Sequence, residues 1–281
     1  MGIILDCRNA EACGAIATEA CILGKFDAVT LPGAVELFSI AANSNGESHL
    51  RREMRAAKER GVAPWSQIVD AWNNPRTVCE HDIAPRPLEF RRLMSTNQSD
   101  NEEPEDTAFE QRFRSSLLHS GFPPDFARGM AAVLHEMLDN VRQHSGRNYH
   151  PAPAIAGYHS DHHYFSFSVS DFGQGFLSSL TQAPDWVGLK READALEAVI
   201  VKGASRRTGQ GQGEGFKSLF KILVDHGAQV RLRSRMWAAN VRCFRDGRRA
   251  ELVEIPEVTG SRVAVCCRLG AATAEFPIIF P

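Results

Sequence analysis

Three side chains that could act together stand four residues apart in mid-chain: Glu136, Asn140 and His144. Residues at this spacing lie above one another on an α-helix, so they would form one stripe of carboxylate, amide and imidazole. A neighbouring stripe, about 90° around the helix, is apolar and consists of Met130, Leu134, Met137 and Val141. The pattern predicts a helix from about Phe126 to His144 that buries one side and presents the other to a single site.

Two glycine-rich stretches follow this helix, and both are suited to a phosphorylated ligand. The first runs from Asp171 to Gly175 and comes directly after the alternating pattern of a strand over 163–170. The second, 209–215, has a glycine at every other position. Glycine lets backbone amides approach phosphate oxygens, and a helix after Gly215 would add its positive N-terminal end.

The residue types predict magnesium-bound ATP as the ligand. Mg²⁺ prefers hard oxygen ligands and takes only one or two from the protein, which suits the side-chain carbonyl of Asn140. Glu136, one turn earlier, could activate a water or hydroxyl that attacks the γ-phosphate. Asp171, at the end of a strand, could accept a hydrogen bond from the exocyclic amine of adenine.

Two other nucleotide-binding motifs do not fit the glycine spacing. A dinucleotide fingerprint needs G-x-G-x-x-G directly after a strand, near the start of a βαβ unit. Here the pattern is G-x-G-x-G-x-G, late in the chain and after a polar segment. The P-loop pattern is also absent, because no Gly-Lys-Ser/Thr occurs. Each feature alone is compatible with a surface helix or a turn, and only their order along one chain is specific.

The stripe of Glu136, Asn140 and His144 resembles the N box of the GHKL ATPases. This class includes gyrase-type topoisomerases, heat-shock chaperones, mismatch-repair proteins and sensor histidine kinases. Stretches 169–176 and 211–219 are similar to its two glycine boxes, and 260–263 is similar to its last glycine-threonine strand. The resemblance covers roughly residues 108–270 and is greatest with the histidine-kinase and anti-sigma branch.

The resemblance implies an α+β Bergerat fold, a two-layer sandwich of a mixed sheet with helices on one face and ATP between them. It implies that Glu136 is the general base, Asn140 the Mg²⁺ ligand and Asp171 the adenine partner. The remaining nucleotide-binding residues implied by the resemblance shape the base pocket, wrap the phosphates as part of a lid, or close the last strand: Gly173, Gly175, Gly211, Gly213, Gly215, Phe216 and Ser261, where Ser261 replaces the usual threonine.

One departure from the family pattern lies inside the second glycine box. Glu214 stands where a small or apolar residue is commoner, and it brings a negative charge near the phosphates. Three cations in the presumed lid could offset that charge, although they fit solvated surface equally well: Lys202, Arg206 and Arg207.

The order of helices and strands indicates an α+β protein with an N-terminal extension. Residues 1–95 are predicted to form a small, mostly helical module for partner recognition, and the acidic, polar stretch 96–107 a linker. Residues 108–281 would then form the ATPase domain, in which 154–158 and 163–170 pair as a hairpin.

Composition bears on nucleic-acid binding, cellular compartment and membrane association. A formal charge of −2 and a pI of about 6.6 give no basic field for nucleic acid. Arginines concentrated between Arg231 and Arg249 are interpreted as a solvated strand face or turn. Seven cysteines without a CxxC pair indicate reduced thiols in a cytoplasmic protein. Apolar runs are too short to span a membrane, so no membrane partner is expected.

Three functions remain open at this point. The first is an ATPase or protein kinase of bacterial signalling type, which the presence of Glu136 favours. The second is a non-hydrolysing switch in which ATP changes partner binding through the N-terminal module. The third is a sensor kinase phosphorylating itself at His49, whose surroundings lack the expected Glu and Thr-Pro. A protein partner is expected in each case, and the chain is a candidate homodimer.

Overall fold

The structure is a computed structural model that describes residues 4–5, 28–29, 35, 67, 84–93, 102–144, 154–161, 164–205 and 215–269 of the chain. Most of the predicted N-terminal module lies outside the described residues, as do Gly211, Gly213 and His49. Within that module, Ile4–Leu5 pairs in parallel with Ala28–Val29. Its mostly helical character and its role in partner recognition stay predictions.

The main body combines one sheet with helices. The strands are β1 (Leu88–Leu93), β2 (Ala154–Asp161), β3 (Tyr164–Asp171), β4 (Gln229–Ser234), β5 (Trp237–Phe244), β6 (Gly247–Glu254) and β7 (Ser261–Arg268). The helices are α1 (Glu102–His119), α2 (Pro124–His144), α3 (Gly175–Leu180), α4 (Glu192–Lys202) and α5 (Gly215–Leu223). None of these described helices is both long and apolar enough to cross a membrane. The α+β class is confirmed.

The strands lie in the order β1-β2-β3-β7-β4-β5-β6, and each pairing is antiparallel. The mixed sheet implied by the family resemblance is therefore corrected. Only two residues separate β2 from β3, β4 from β5 and β5 from β6, and connections this short can join only antiparallel neighbours. Strand β7 then inserts between β3 and β4, so these two run in the same direction without pairing.

One face of the sheet forms the core with the helices, as the sequence patterns predicted. Phe165, Phe167 and Val169 alternate along β3 and are all buried. The ring of Phe165 lies 6.3 Å from that of Phe113 on α1 and 5.7 Å from that of Phe126 on α2. The apolar stripe of α2 is also buried, and the helix has its predicted bounds to within two residues.

Strand β1 is held at the sheet edge by a buried charged group. Arg112 on α1 is 0% exposed and donates hydrogen bonds of 2.7 to 3.0 Å to the carboxylate of Glu89 on β1. Tyr158 on β2 donates to the same carboxylate at 2.8 Å. Strand β1 falls within the predicted N-terminal module, yet it belongs to the sheet, where Glu89 and Arg91 pair with charged partners distant in sequence.

Helix α1 begins at Glu102, inside the stretch predicted to be a linker. Its buried Asp106 pairs with Arg91 of β1 and with Arg142 of α2. The polar composition of 96–107 indicated exposure, but ion pairing lets part of it fold as a helix against the domain.

The arginine cluster was interpreted as solvated, and this is corrected for two of its members, which are buried on the far face of the sheet. Arg231 and Arg233 alternate with the core residue Leu232 on β4 and are only 4% and 1% exposed. Arg231 donates to the side chain of Asn240, and Arg233 donates to the carbonyl of Pro256 at 2.6 Å. Arg235, Arg242, Arg245, Arg248 and Arg249 are exposed, as expected.

Cysteines of the described part of the chain are core residues. Cys243, Cys266 and Cys267 are free and buried. Burial raises the pKa of the Cys243 and Cys266 thiols to about 12, so both stay protonated and unreactive near neutral pH.

The Glu89–Arg112 pair predicts a large effect of one substitution. Arg112→Ala would leave the Glu89 carboxylate buried beside Tyr158 without its cation, which costs about 3–5 kcal/mol in free energy of unfolding. Arg114→Ala, an exposed position on the same helix, should change it by less than about 0.5 kcal/mol. Urea unfolding of both variants checks this, and equal effects would show that the buried pair does not hold β1 and α1 in place.

Candidate functional site

The side chains predicted to bind a nucleotide meet in a pocket beside α2, at the end of β3 and the start of β7. Six of the predicted residues line it: Asn140, Asp171, Gly175, Gly215, Phe216 and Ser261. They come from separate parts of the chain, namely α2, the end of β3 with the loop into α3, the start of α5, and the start of β7. The sheet and α2 therefore bring together residues that lie far apart in sequence.

Asp171 is the most tightly fixed polar residue in this pocket. It is 7% exposed, and it pairs with Ser261 across β3 and β7. The backbone N–H of Gly173 donates to its Oδ1 at 2.7 Å, and the Ser261 hydroxyl donates to its Oδ2. Burial raises the pKa of Asp171, while these hydrogen bonds act in the opposite direction. The carboxyl group is held in one orientation with acceptor capacity left for a ligand.

Gly260 explains why β7 can approach Asp171 so closely. Its φ is +95°, and a Cβ at this position would lie 1.9 Å from the backbone oxygen of Asp171. A side chain is excluded both by the backbone conformation and by the contact with β3. Gly260 lies within the last family motif but was not among the predicted site residues.

A second group of contacts fixes the loop that follows Asp171. Gly175 has φ +82°, and a Cβ there would lie 2.8 Å from the hydroxyl oxygen of Ser234. That oxygen accepts a hydrogen bond from the Phe176 N–H at 2.8 Å and donates to Glu192 at 2.5 Å. Glu192 also accepts from the Leu177 N–H at 3.2 Å. Side chains from β4 and α4 thereby satisfy the first amides of α3.

Glu192 and Ser234 are site-supporting residues that the sequence analysis missed. Each is a single polar residue at the end of an ordinary amphipathic or apolar element, with no motif around it. Their burial, at 8% and 0% exposed, shows their importance only once the fold brings them to Gly175.

Glu136 lies at the margin of the pocket, against the first residue of α5. A Cβ on Gly215 would lie 3.1 Å from the Glu136 Cβ and 3.6 Å from its Oε2. Asn140, one helical turn further on, lines the pocket itself. The first amides of α5 have no partner within their own helix, so this end of the pocket favours a negatively charged ligand.

The remaining predicted site residues divide into two groups. Gly173 is described and donates to Asp171, as given above. Gly211, Gly213, Glu214, Arg206, Arg207 and the side chain of His144 lie outside the described residues, so their roles stay predictions. Lys202, the described cation of the presumed lid, lies 5.7 Å from the ring of Trp186. Trp186 in turn donates to the carbonyl of Ser205 at 3.1 Å, at the pocket margin.

No protein-family model matches the chain, and no curated protein matches it. Among solved structures, it is similar to the 43K ATPase domain of Thermus thermophilus gyrase B in complex with an aminocoumarin. That match has 14% identity and a TM-score of 0.27, and covers 52% of this chain but only 36% of the gyrase chain. Membership of the GHKL class therefore stays a proposal.

The contact between Gly260 and Asp171 predicts a difference between two glycine substitutions. Gly260→Ala should lower the free energy of unfolding by about 2 kcal/mol or more, because it combines an unfavourable φ with a backbone clash. Gly247→Ala is the matched control, since Gly247 also has positive φ but a Cβ there meets nothing within 4 Å. Thermal and urea unfolding measure both variants. If Gly260→Ala is no worse than Gly247→Ala, the close approach of β7 to β3 is not required.

Proposed function

We propose that this protein binds Mg²⁺-ATP as a GHKL-type ATPase domain, and that it hydrolyses the ATP or transfers its γ-phosphate to a protein partner. The observation that carries the proposal is the convergence of Asn140, Asp171, Gly215 and Ser261 on one pocket. The sequence alone predicts a nucleotide-binding role for each of these residues.

The inner part of the pocket suits adenine. Its walls include apolar residues from α2, β3, α3 and β7: Met137, Val141, Val169, Leu180 and Val263. The Asp171 carboxyl can accept from the 6-amino group of adenine, whereas guanine has a carbonyl oxygen at that place. In apolar surroundings an unmatched polar group is costly, so one acceptor here discriminates between the two bases.

The outer part of the pocket suits the phosphates and the metal ion. Gly215 places the N-terminal end of α5 at the pocket, where a triphosphate would be stabilised. Among the described residues no cluster of three or more His, Cys, Asp or Glu side chains could hold a metal by itself. This fits an ion that takes the Asn140 carbonyl oxygen from the protein and its other ligands from phosphate and water. The ion would neutralise charge on the phosphates.

The presence of Glu136 favours turnover over simple binding. Its carboxylate lies one turn from Asn140 and against Gly215, a position from which it can accept a proton from an attacking water or hydroxyl. A non-hydrolysing switch has no need of a base there. A signalling role, with a protein partner bound by the N-terminal module, is proposed from the sequence.

Nucleotide binding is tested at Asp171. Asp171→Asn should weaken Mg²⁺-ATP binding about 10- to 100-fold. The amide replaces one of the two carboxylate acceptors with an N–H₂ donor, so fewer acceptors remain for the adenine amine. Asp125→Asn, at an exposed position in the first turn of α2, should bind as the wild type does. Calorimetric titration with ATP and GTP measures both affinities. Unchanged ATP affinity in Asp171→Asn would remove the adenine assignment.

Catalysis is tested at Glu136. Glu136→Ala should lower ATP turnover about 100-fold or more while leaving ATP affinity within about threefold, because a general base acts on the transition state. Glu197→Ala, on the exposed side of α4, is the control. Phosphate release and transfer of γ-labelled phosphate to co-purified protein provide the readouts. Equal rates in wild type and Glu136→Ala, with binding retained, would favour the ATP-gated switch.

A further inference from the structure

Strand β6 ends the described sheet and leaves its outer edge open. It is eight residues long, and no described strand pairs with its far side. Arg248, Arg249, Ala250 and Glu251 are all exposed. An edge strand of this length presents a row of backbone N–H and C=O groups that can pair with another strand.

The hairpin register shows which backbone groups point outward. Phe244 pairs with Gly247 across a two-residue turn, and the Ile255 N–H donates to the Met236 carbonyl at 2.9 Å. Hydrogen-bonded pairs alternate along an antiparallel ladder, so the odd-numbered residues from 247 to 255 bond to β5. The N–H and C=O groups of the even-numbered residues, 248 to 254, therefore face away from the sheet.

The charges along this edge are complementary to those of a second copy. If two β6 strands pair antiparallel about Ala250, Arg249 of each copy lies opposite Glu251 of the other. These would be non-hydrogen-bonded pairs, in which opposing side chains come closest. Shifting the centre to Arg249 or to Glu251 places like charges opposite one another, which disfavours both alternatives. Only a small side chain, that of Ala250, meets its own copy at the centre.

A partly apolar groove lies beside the same edge. It runs between α4 and β6, and its apolar lining comes from Ile200, Val201, Ala250 and Leu252, with Glu197, Gly247 and Arg248 also lining it. Val201 is 62% exposed and lies beside Ala250 and Leu252 in this groove. The two-fold axis of such a pairing is perpendicular to the sheet, so both helical layers lie on one side. Pairing would then bring the two grooves together and cover their apolar side chains.

We propose that the protein forms a two-fold homodimer through β6, with the strands paired antiparallel about Ala250 and the two seven-stranded sheets joined into one. The interface is isologous, as most homodimer interfaces are. It makes no use of the nucleotide pocket and goes beyond the function proposed above.

Charge exchange tests the pairing. Arg249→Glu should raise the dimer dissociation constant about tenfold, because it turns two attractive cross-strand pairs into repulsive ones. Glu251→Arg should do the same, and the double variant should return to within about threefold of the wild type. Arg249 contacts Asp246 at 3.2 Å, but its side chain is 71% exposed, so the fold should tolerate the change. Sedimentation equilibrium of the full chain measures the constants, with Arg114→Glu as control.

Backbone pairing is tested separately by Ala250→Pro. The Ala250 N–H faces outward, so proline removes a bond to the second copy without removing one to β5. This variant should be monomeric, with the far-ultraviolet circular dichroism of the wild type. A wild-type monomer at all micromolar concentrations would overturn the proposal. So would a dimer that is insensitive to both Arg249→Glu and Ala250→Pro, or a double charge variant that does not recover.

Discussion

The site depends on the close pairing of β3 with β7 at Asp171 and Ser261. Gly260 makes that pairing possible because its backbone lies where any side chain would meet the Asp171 carbonyl. The pairing brings the Ser261 hydroxyl to the carboxyl group, while the turn after β3 brings the Gly173 amide. One buried acceptor is thereby oriented by two neighbours before any ligand arrives, which lowers the entropic cost of binding.

Buried charges place α2 over this junction. Asp106 joins α1 to Arg142, two residues beyond Asn140 on α2, and to Arg91 on the edge strand β1. A buried ion pair adds a directional constraint to the apolar packing of a helix against a sheet. The helix that carries Glu136 and Asn140 is thus connected to β1, on the opposite margin of the sheet from β6. Substitutions around Asp106 are expected to act on the site through the position of α2.

Sequence periodicity was sufficient to predict the helices and strands in which buried and exposed residues alternate regularly. The spacing of Met130, Leu134 and Met137 predicted α2, and the alternation of Phe165, Phe167 and Val169 predicted β3. The polar stripe brings Asn140 to the pocket, but Met137 and Val141 of the apolar stripe line it as well. Their convergence with Asp171 and Ser261 followed from the family resemblance, since no local pattern contains it.

The features that sequence did not predict depend on partners far apart in the chain. Glu89 and Arg112 are ordinary surface types until they pair, so no local pattern marks β1 as a strand of the main sheet. Arg231 and Arg233 looked solvated for the same reason. Strand direction was also beyond reach, because the long connection from β3 to β4 permits either direction. These two strands run the same way, and only the position of β7 between them makes every pairing antiparallel.

The central claim is that an adenine nucleotide occupies the pocket between α2 and the β3–β7 junction. A crystal structure of the protein with a non-hydrolysable ATP analogue and Mg²⁺ tests it most directly. The account predicts the adenine amine on Asp171, the metal ion on Asn140 and the phosphates at the start of α5. A nucleotide bound elsewhere, or a pocket still empty at saturating ligand, would contradict it.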